Sequence, residues 1–218
     1  MKTLARPERY TSYEADSALL NTPAKKLGVA AIVAVAFLVP FMFQDDRIAI
    51  LSDACVFAIA AIGLNLVTGY AGQVSLGHAF FFGVGAFTAA VLGGAPGGST
   101  LGYGLDMVIW LPAAGLVAAA AGLLISPAAV RLRGLYLAIV TLGLVFLGEH
   151  IFREAKPITG GVGVGRPAAL PKLFGYRFDQ PGLFGLEFSA IQKTYLLMLV
   201  FLILAAILGR NVARSAVG

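Results

Sequence analysis

The chain has 218 residues, of which 59% are hydrophobic and only 12% are charged, and its formal net charge is +5. Soluble domains contain about 45–50% apolar and about 25% charged residues, so this composition excludes an ordinary soluble domain and indicates an integral membrane protein. The chain has no tract of five or more Lys or Arg residues. Nucleic-acid binding therefore has little support, and cationic cytoplasmic loops account better for the positive charge.

Long uncharged apolar runs predict an all-α, polytopic membrane protein with about six transmembrane helices, because one span needs about 20 mostly apolar residues. The first run follows a polar segment of 26 residues that lacks the features of a signal peptide, so we expect it to be retained. Pro127 is expected to end the fourth span. The single Cys55, inside the second span, can form no internal disulfide. The predicted spans are 27–43, 48–67, 74–92, 107–126, 134–152 and 192–209.

The placement of lysine and arginine predicts a cytoplasmic N-terminus, because cytoplasmic loops carry an excess of these residues. In this orientation only Arg47 lies in a short outer loop. The chain then divides into a polar cytoplasmic segment, 1–26, and a transmembrane domain, 27–218, which includes a long outer connection, 153–191. Nine cations lie on the inner side: Lys2, Arg6, Arg9, Lys25, Lys26, Arg131, Arg133, Arg210 and Arg214.

The long outer connection is expected to carry a function or its own small structure, as loops of this length usually do. Its aromatic residues fit a position at the membrane interface and a role in docking a partner equally well. They are Phe174, Tyr176, Phe178, Phe184 and Phe188.

The segment 63–91 combines apolar runs with many glycines and small polar residues around a short inner turn. Lipid leaves unpaired polar groups unsatisfied, so such a segment is expected to pack closely on neighbours, to break, or to line a path. A hydrogen-bonded contact between helices is the alternative. The polar path candidates are Asn65, Gln73, Ser75 and His78, and the candidates for a helix break or close packing are Gly69, Gly72, Gly77, Gly83 and Gly85.

Motifs for catalysis or nucleotide binding are absent from the sequence. The nearest approach to a phosphate-binding loop, 93–100, has Ser99 where a lysine is required. No catalytic constellation and no metal site is predicted, since the chain has only two histidines, His78 and His150. Ionisable groups inside a membrane suggest function, but Asp53, Glu149 and His150 are expected near the ends of their spans, where an interfacial position is favoured.

Two blocks carry a family resemblance. GLNLVTGYAGQVSLGHAFFFGVGAFTAAVL, at 63–92, resembles the signature of the branched-chain amino-acid ABC transporter permeases. RLRGLYLAIVTLGLVFLGEHIFREAKPITGGVGVG, at 131–165, is similar to the next stretch of that family, and Thr141 in it joins the substrate-path candidates. The similarity covers about 27–218 and is closer to the M-type subunit of the permease pair than to the H-type. The matching residues of the second block are Arg133, Gly134, Tyr136, Thr141, Leu142, Thr159, Gly160 and Gly161.

The resemblance implies a permease subunit of an ATP-driven importer that moves leucine, isoleucine and valine across the bacterial inner membrane, rather than an enzyme. It implies a second permease subunit, two ATPase subunits and a periplasmic substrate-binding protein as partners, and leaves open whether the permeases are identical. ATP would be bound by the partner subunits, and this chain would bind no cofactor.

Family members continue beyond a stretch that matches Arg210, Asn211, Ser215 and Gly218, so the chain is expected to lack the segment that contacts the ATPase and not to transport alone. Urea or short amides are alternative substrates. A non-transporting scaffold or truncated remnant is the alternative from another class.

Overall fold

The computed structural model describes residues 23–95, 100–132, 134–161, 165–182 and 188–213, without the side chain of Ala128. Within them the chain forms seven α-helices, a π-helical turn and one two-stranded hairpin, which confirms the all-α class. The helices are α1 Pro23–Met42, α2 Asp45–Asn65, α3 His78–Gly93, α4 Met107–Arg131, α5 Leu135–Glu154, α6 Lys156–Thr159 and α7 Ala190–Ala213. The π-helical turn, Leu66–Tyr70, continues α2, and the strands are β1 Lys172–Leu173 and β2 Tyr176–Arg177.

Several residues singled out in the sequence lie outside the described residues, and their predicted roles stay predictions. They are Lys2, Arg6, Arg9, Ser99, Arg133, Phe184, Arg214, Ser215 and Gly218.

Among the described residues, five helices are long and apolar enough to cross a membrane, and they match five of the six predicted spans. The predicted start of the remaining span, 74–92, is wrong. Residues 71–77 are not helical, and His78 begins α3 instead of lying four residues inside it. With 16 residues, α3 rises about 24 Å, less than the roughly 30 Å of a hydrocarbon core.

Pro127 does not end α4, contrary to the sequence-based expectation, because the helix continues to Arg131. A proline inside a helix leaves the carbonyl four residues earlier without its usual N–H donor. Here that carbonyl belongs to Leu123 and accepts a hydrogen bond from the hydroxyl of Ser126 at 2.9 Å. The side chain thus satisfies the group that the proline leaves free, as occurs in membrane helices.

The chain forms two compact units, Met1–Gln44 and Asp45–Gly218. In the first unit the structure describes α1, whose large apolar side chains, such as Leu27 and Ile32, are mostly exposed. A helix surrounded by lipid needs no polar outer face, because lipid tails are as apolar as leucine.

In the second unit, α2 packs against α7, and α3 packs against both α4 and α5. Reciprocal hydrogen bonds between Ser189 and Gln192 cap the start of α7. The Gln192 N–H donates to the Ser189 hydroxyl at 3.1 Å, and the Ser189 N–H donates to the Gln192 side chain at 3.0 Å. This arrangement is a capping box, which satisfies two N–H groups at the helix start. The Ser189 hydroxyl also donates to the Asp45 carboxylate at 2.9 Å and so connects the starts of α2 and α7.

The long connection before α7 has structure of its own. Lys172 pairs with Arg177 and Leu173 with Tyr176, around a two-residue turn in which Phe174 and Gly175 both have positive φ, at 48° and 82°. Two such residues define the type I′ turn that matches the twist of a hairpin.

Lys193 of α7 anchors this hairpin. Its side chain is 2% exposed. Its ammonium group donates to the Tyr176 hydroxyl at 3.1 Å, to the Gly182 carbonyl at 3.0 Å and to the Gln180 carbonyl. A buried charge needs such partners, since an unpaired one would be expensive.

Candidate functional site

Residues 71–77 interrupt the helical path between the π-helical turn and α3, within the predicted polar cluster. Gly72 lies in the left-handed region, with φ at +62°, where glycine is the residue least strained. After it, the N–H of Gln73 donates back to the Val67 carbonyl at 3.1 Å. This bond satisfies one of the carbonyls that a helix end otherwise leaves unpaired.

Thr141 of α5 holds the end of the interrupted segment. Its side chain is buried, and its hydroxyl accepts a hydrogen bond from the Leu76 N–H at 3.0 Å while it donates to the Leu137 carbonyl at 2.9 Å. A Cβ atom added at Gly77 would lie 3.1 Å from the Thr141 carbonyl oxygen, so a larger residue there would press on α5. The fold therefore brings two of the predicted residues, Gly77 and Thr141, into direct contact.

The next two candidates lie beside the same break. The His78 ring is 3.6 Å from the position that a Cβ atom at Gly63 would occupy, and it packs edge-to-face on Phe82 with centroids 5.3 Å apart. The side-chain oxygen of Asn65 lies 2.7 Å from the Cβ position of Gly69, so the side chain folds along its own helical turn. His78 is half-buried, whereas Asn65 is exposed.

Gln73 and Ser75 are half-buried, and within the described residues no side-chain hydrogen bond joins them to another path candidate. The two remaining glycine candidates differ. The Phe152 ring occupies the space that a Cβ atom at Gly83 would need, whereas no described atom lies within 4 Å of the Cβ position of Gly85. The assignment of the path residues stays a prediction.

A cavity of about 530 Å³ lies between α3 and α5, and residues that follow α6 line part of it. Its apolar wall includes Phe80, Phe87, Val145 and Phe152. The Phe152 ring lies 4.9 Å from the Phe87 ring and 6.1 Å from the Phe80 ring, centroid to centroid. Pockets that bind small molecules have about this volume and combine an apolar lining with a few polar groups.

Glycines allow this aromatic wall to form. The Phe80 ring occupies the space of a Cβ atom at Gly148, as the Phe152 ring does at Gly83. Each helix thus contributes a glycine that receives a phenylalanine of the other. Together with the contact of Gly77 and Thr141, these pairs show that α3 and α5 run in parallel.

The polar part of the lining has three charged side chains: Glu149, Arg153 and Arg166. Glu149 and Arg153, one turn apart on α5, form an ion pair, and their side chains are 52% and 58% exposed. Such an exposed pair contributes little stability, about 0.3–0.5 kcal/mol, so its members can rearrange at small cost.

Arg166 reaches the cavity from the connection that follows α6. One of its terminal nitrogens, Nη1, donates to the Ile158 carbonyl at 2.6 Å, and the other, Nη2, donates to the Leu101 carbonyl at 2.7 Å and to the Ala90 carbonyl. Its Nε is buried and has no hydrogen-bond partner among the described residues. Burial lowers the pKa of this guanidinium from its ordinary value, although it remains charged at neutral pH.

Sequence reasoning missed this cavity. It placed Glu149 at the membrane interface and assigned no role to Phe80, Phe152 or Arg166. The available signals were the spacing of Glu149 and Arg153 by four residues and the aromatic residues on both helices.

Residues 47–218 match the family described as the branched-chain amino acid transport system / permease component. The chain belongs to this family. The matched residues cover nearly all of the second compact unit. The resemblance seen in the blocks 63–92 and 131–165 is therefore confirmed.

Two relatives illustrate the similarity of this chain to known proteins. The chain is 34% identical over 197 residues to the high-affinity branched-chain amino acid transport system permease protein LivM of Escherichia coli (strain K12). It is equally similar to the protein of that name from Salmonella typhimurium (strain LT2). Each alignment covers 86% of this chain and 45% of the relative, so the chain spans just under half their length. No solved structure matches the chain.

Family membership, together with five helices of membrane-spanning length among the described residues, makes the chain a multi-pass protein of the inner membrane. Its matched relatives are transport permeases.

Proposed function

We propose that this chain is a permease subunit of an ATP-driven importer and that it helps to move leucine, isoleucine and valine across the inner membrane. The observation that carries the proposal is its membership of the branched-chain amino acid permease family, with both diagnostic blocks inside the matched residues. The first block forms the interrupted segment and α3, and the second forms α5 and the start of the outer connection.

The geometry supports a translocation role for these blocks. In transporters, non-helical backbone at membrane depth is tolerated where it is buried in protein or lines a cavity. Residues 71–77 interrupt the helical path, and Thr141 binds their backbone. In this proposal the inner end of the path is lined by Asn65, Gln73, Ser75, His78 and Thr141.

The partners of this subunit are a second permease, two ATPase subunits and a periplasmic substrate-binding protein. ATP binds to the ATPase subunits, and this chain needs no cofactor of its own. The N-terminus lies in the cytoplasm, so the hairpin before α7 faces the periplasm, where a binding protein delivers substrate.

Uptake by the assembled transporter tests the transport proposal. Proteoliposomes that contain this chain, its permease partner, the ATPases and the binding protein should take up radiolabelled leucine only with ATP. Excess isoleucine or valine should compete, and urea or acetamide should not. Competition by urea or acetamide instead would assign the chain to amide transport, and ATP-independent accumulation would contradict the importer.

Cysteine labelling tests the orientation. In a Cys55→Ala background, single cysteines replace Asp46, Leu170 and Val130, which are exposed in the structure. A membrane-impermeant maleimide added outside should label positions 46 and 170 in intact spheroplasts and position 130 only after lysis. The reverse pattern would place the N-terminus in the periplasm.

A further inference from the structure

We propose that the cavity between α3 and α5 binds a small zwitterion with an apolar side chain, its carboxylate facing Arg166 and its ammonium group facing Glu149. This site rests on the transport function proposed above and adds to it a ligand position whose lining begins at Ala79, just after the break at residues 71–77. Three features of the lining support this site: its excess of positive charge, one carboxylate oxygen without a partner among the described residues, and an aromatic wall.

The positive charge of the lining exceeds the negative charge, since two guanidinium groups face one carboxylate. Arg153 is paired with Glu149, whereas in the described part of the chain Arg166 is bound to carbonyl oxygens and to no carboxylate. The C-terminal end of α3 supplies about half a negative charge near Arg166. The remaining positive charge favours an anion.

Arg166 also has a donor available for that anion. Three of its N–H groups donate to backbone carbonyls, which leaves Nε–H and one N–H of Nη1 out of the five that arginine carries. Nε is closed off from solvent, so the N–H that a ligand can reach is the remaining one on Nη1. A carboxylate is the partner that best matches such a guanidinium.

Glu149 supplies the complementary negative group. Arg153 binds one of its carboxylate oxygens, Oε1, and about half of each side chain is exposed. The second oxygen has no partner among the described residues, so an ammonium group can bind there while the ion pair persists. A ligand with both charges matches this lining better than a simple anion or a simple cation.

The apolar part of the ligand faces the phenylalanine wall. The Phe80 ring lies against Gly148, the residue before Glu149, and Val145 lies one helical turn before Glu149 on α5, so the apolar wall lies beside the charged groups and extends one turn deeper. A branched aliphatic side chain would contact Phe80, Val145 and Phe152 with its charged groups at the rim. This arrangement favours α-amino acids with compact apolar side chains.

Photolabelling locates the ligand directly. The probe is photo-leucine, a diazirine analogue of leucine, applied to the purified 218-residue chain in detergent, with peptide mapping by mass spectrometry. Adducts should concentrate in residues 79–87 and 145–153, and excess leucine should remove them. Leucine-sensitive adducts elsewhere, or no leucine-sensitive adducts, would overturn the site.

Competition by leucine analogues tests the recognition of each group on the unaltered protein. 4-Methylpentanoate lacks the ammonium group, 3-methylbutylamine lacks the carboxylate, and glycine lacks the apolar side chain. Each should compete at least about tenfold less well than leucine, because one charge-assisted bond or one buried apolar side chain contributes at least that factor. If 4-methylpentanoate or 3-methylbutylamine competes as well as leucine, the site does not recognise a zwitterion and the proposal is overturned.

Variants then assign the charged residues. Glu149→Gln keeps the shape of the side chain and should weaken leucine competition about tenfold or more. Arg166→Gln should do the same, and Arg166→Lys, which keeps the charge, should weaken it less. Arg131→Gln removes a guanidinium from the last turn of α4, outside the cavity lining, and should leave leucine competition unchanged. If leucine competes equally well in Glu149→Gln and in the wild type, the assignment is contradicted, even if Arg166→Gln fails to fold.

Labelling and uptake together distinguish an error in the proposed site from an error in the proposed function. ATP-dependent leucine uptake by the assembled transporter without labelling of the cavity would support the importer and overturn the site. Leucine-sensitive labelling of the cavity without ATP-dependent uptake would support the site and contradict the importer.

Discussion

Replacing Thr141 by valine removes one hydroxyl group from a buried contact and keeps the branched shape of the side chain. In the unaltered protein the Leu76 N–H donates to this hydroxyl at 3.0 Å, and the substitution removes that acceptor. This hydrogen bond is only part-buried, so its loss should cost the ordinary net contribution of one hydrogen bond, about 0.5–1.5 kcal/mol. The Leu137 carbonyl loses only an additional donor, because it remains within the helical hydrogen bonding of α5. The substitution should therefore destabilise the attachment of residues 71–77 to α5 more than α5 itself.

Hydrogen exchange measures this effect at the affected group. A loss of about 0.5–1.5 kcal/mol corresponds to roughly 2- to 13-fold faster exchange of the Leu76 amide, since about 1.4 kcal/mol is a factor of ten. The measurement is exchange mass spectrometry on peptides that cover 71–80, with the protein in lipid nanodiscs. Thr141→Ser keeps the hydroxyl and should retain most of the protection. Unchanged Leu76 exchange in Thr141→Val, or equal acceleration in both variants, would refute the proposed hydrogen bond.

Three further changes have specific expected outcomes. Gly148→Ala places a methyl group in the space of the Phe80 ring and should lower thermal stability in detergent by about 1–3 kcal/mol, as overpacking does. Lys193→Met removes the donor that holds the outer hairpin and should increase protease cleavage within residues 165–182 several-fold. Hydrogen bonding to Arg177 lowers the pKa of Asp179, so the pair stabilises the hairpin above about pH 4 and should lose this effect as pH falls through the lowered pKa, with faster cleavage by pepsin.

Each change has a matched control. Gly85→Ala adds the same methyl group where no described atom lies within 4 Å and should leave stability nearly unchanged, and equal loss in both variants would contradict the packing argument. Lys156→Met removes an exposed lysine and should not alter hairpin cleavage. Asp179→Asn should abolish the acid-dependent step in pepsin cleavage, and an identical step in this variant would show that another group titrates.

Local sequence patterns predict the positions of most helices because a span depends mainly on its own apolar residues. The start of α3 escaped this reasoning. Residues 74–77 are uncharged and join the apolar run, but the left-handed Gly72 and the bond from Leu76 to Thr141, 65 residues away, hold them out of the helix. The prediction that Pro127 ends its helix was wrong for a related reason, since the hydroxyl of Ser126 satisfies the carbonyl that the proline leaves free.

The two parts of the candidate site differ in how much the sequence could reveal. Gly77 and Thr141 carried the family resemblance, so their blocks were noticed, although their contact was not predicted. The cavity depends on glycines that receive aromatic rings from another helix and on an arginine from a distant connection. Apolar composition alone does not indicate which phenylalanine faces which glycine.

The bonds of Arg166 also constrain the order in which the chain can assemble in the membrane. Its partners Ala90 and Leu101 precede it by 76 and 65 residues. During synthesis, α3, α4 and α5 must all emerge before this arginine exists. Closing such long loops costs entropy before any bond forms, so contacts of this kind are made late. The C-terminal end of α3 therefore acquires its final partners only after the helices around it have been synthesised, and a defect at Arg166 would appear as incomplete assembly rather than as failed insertion.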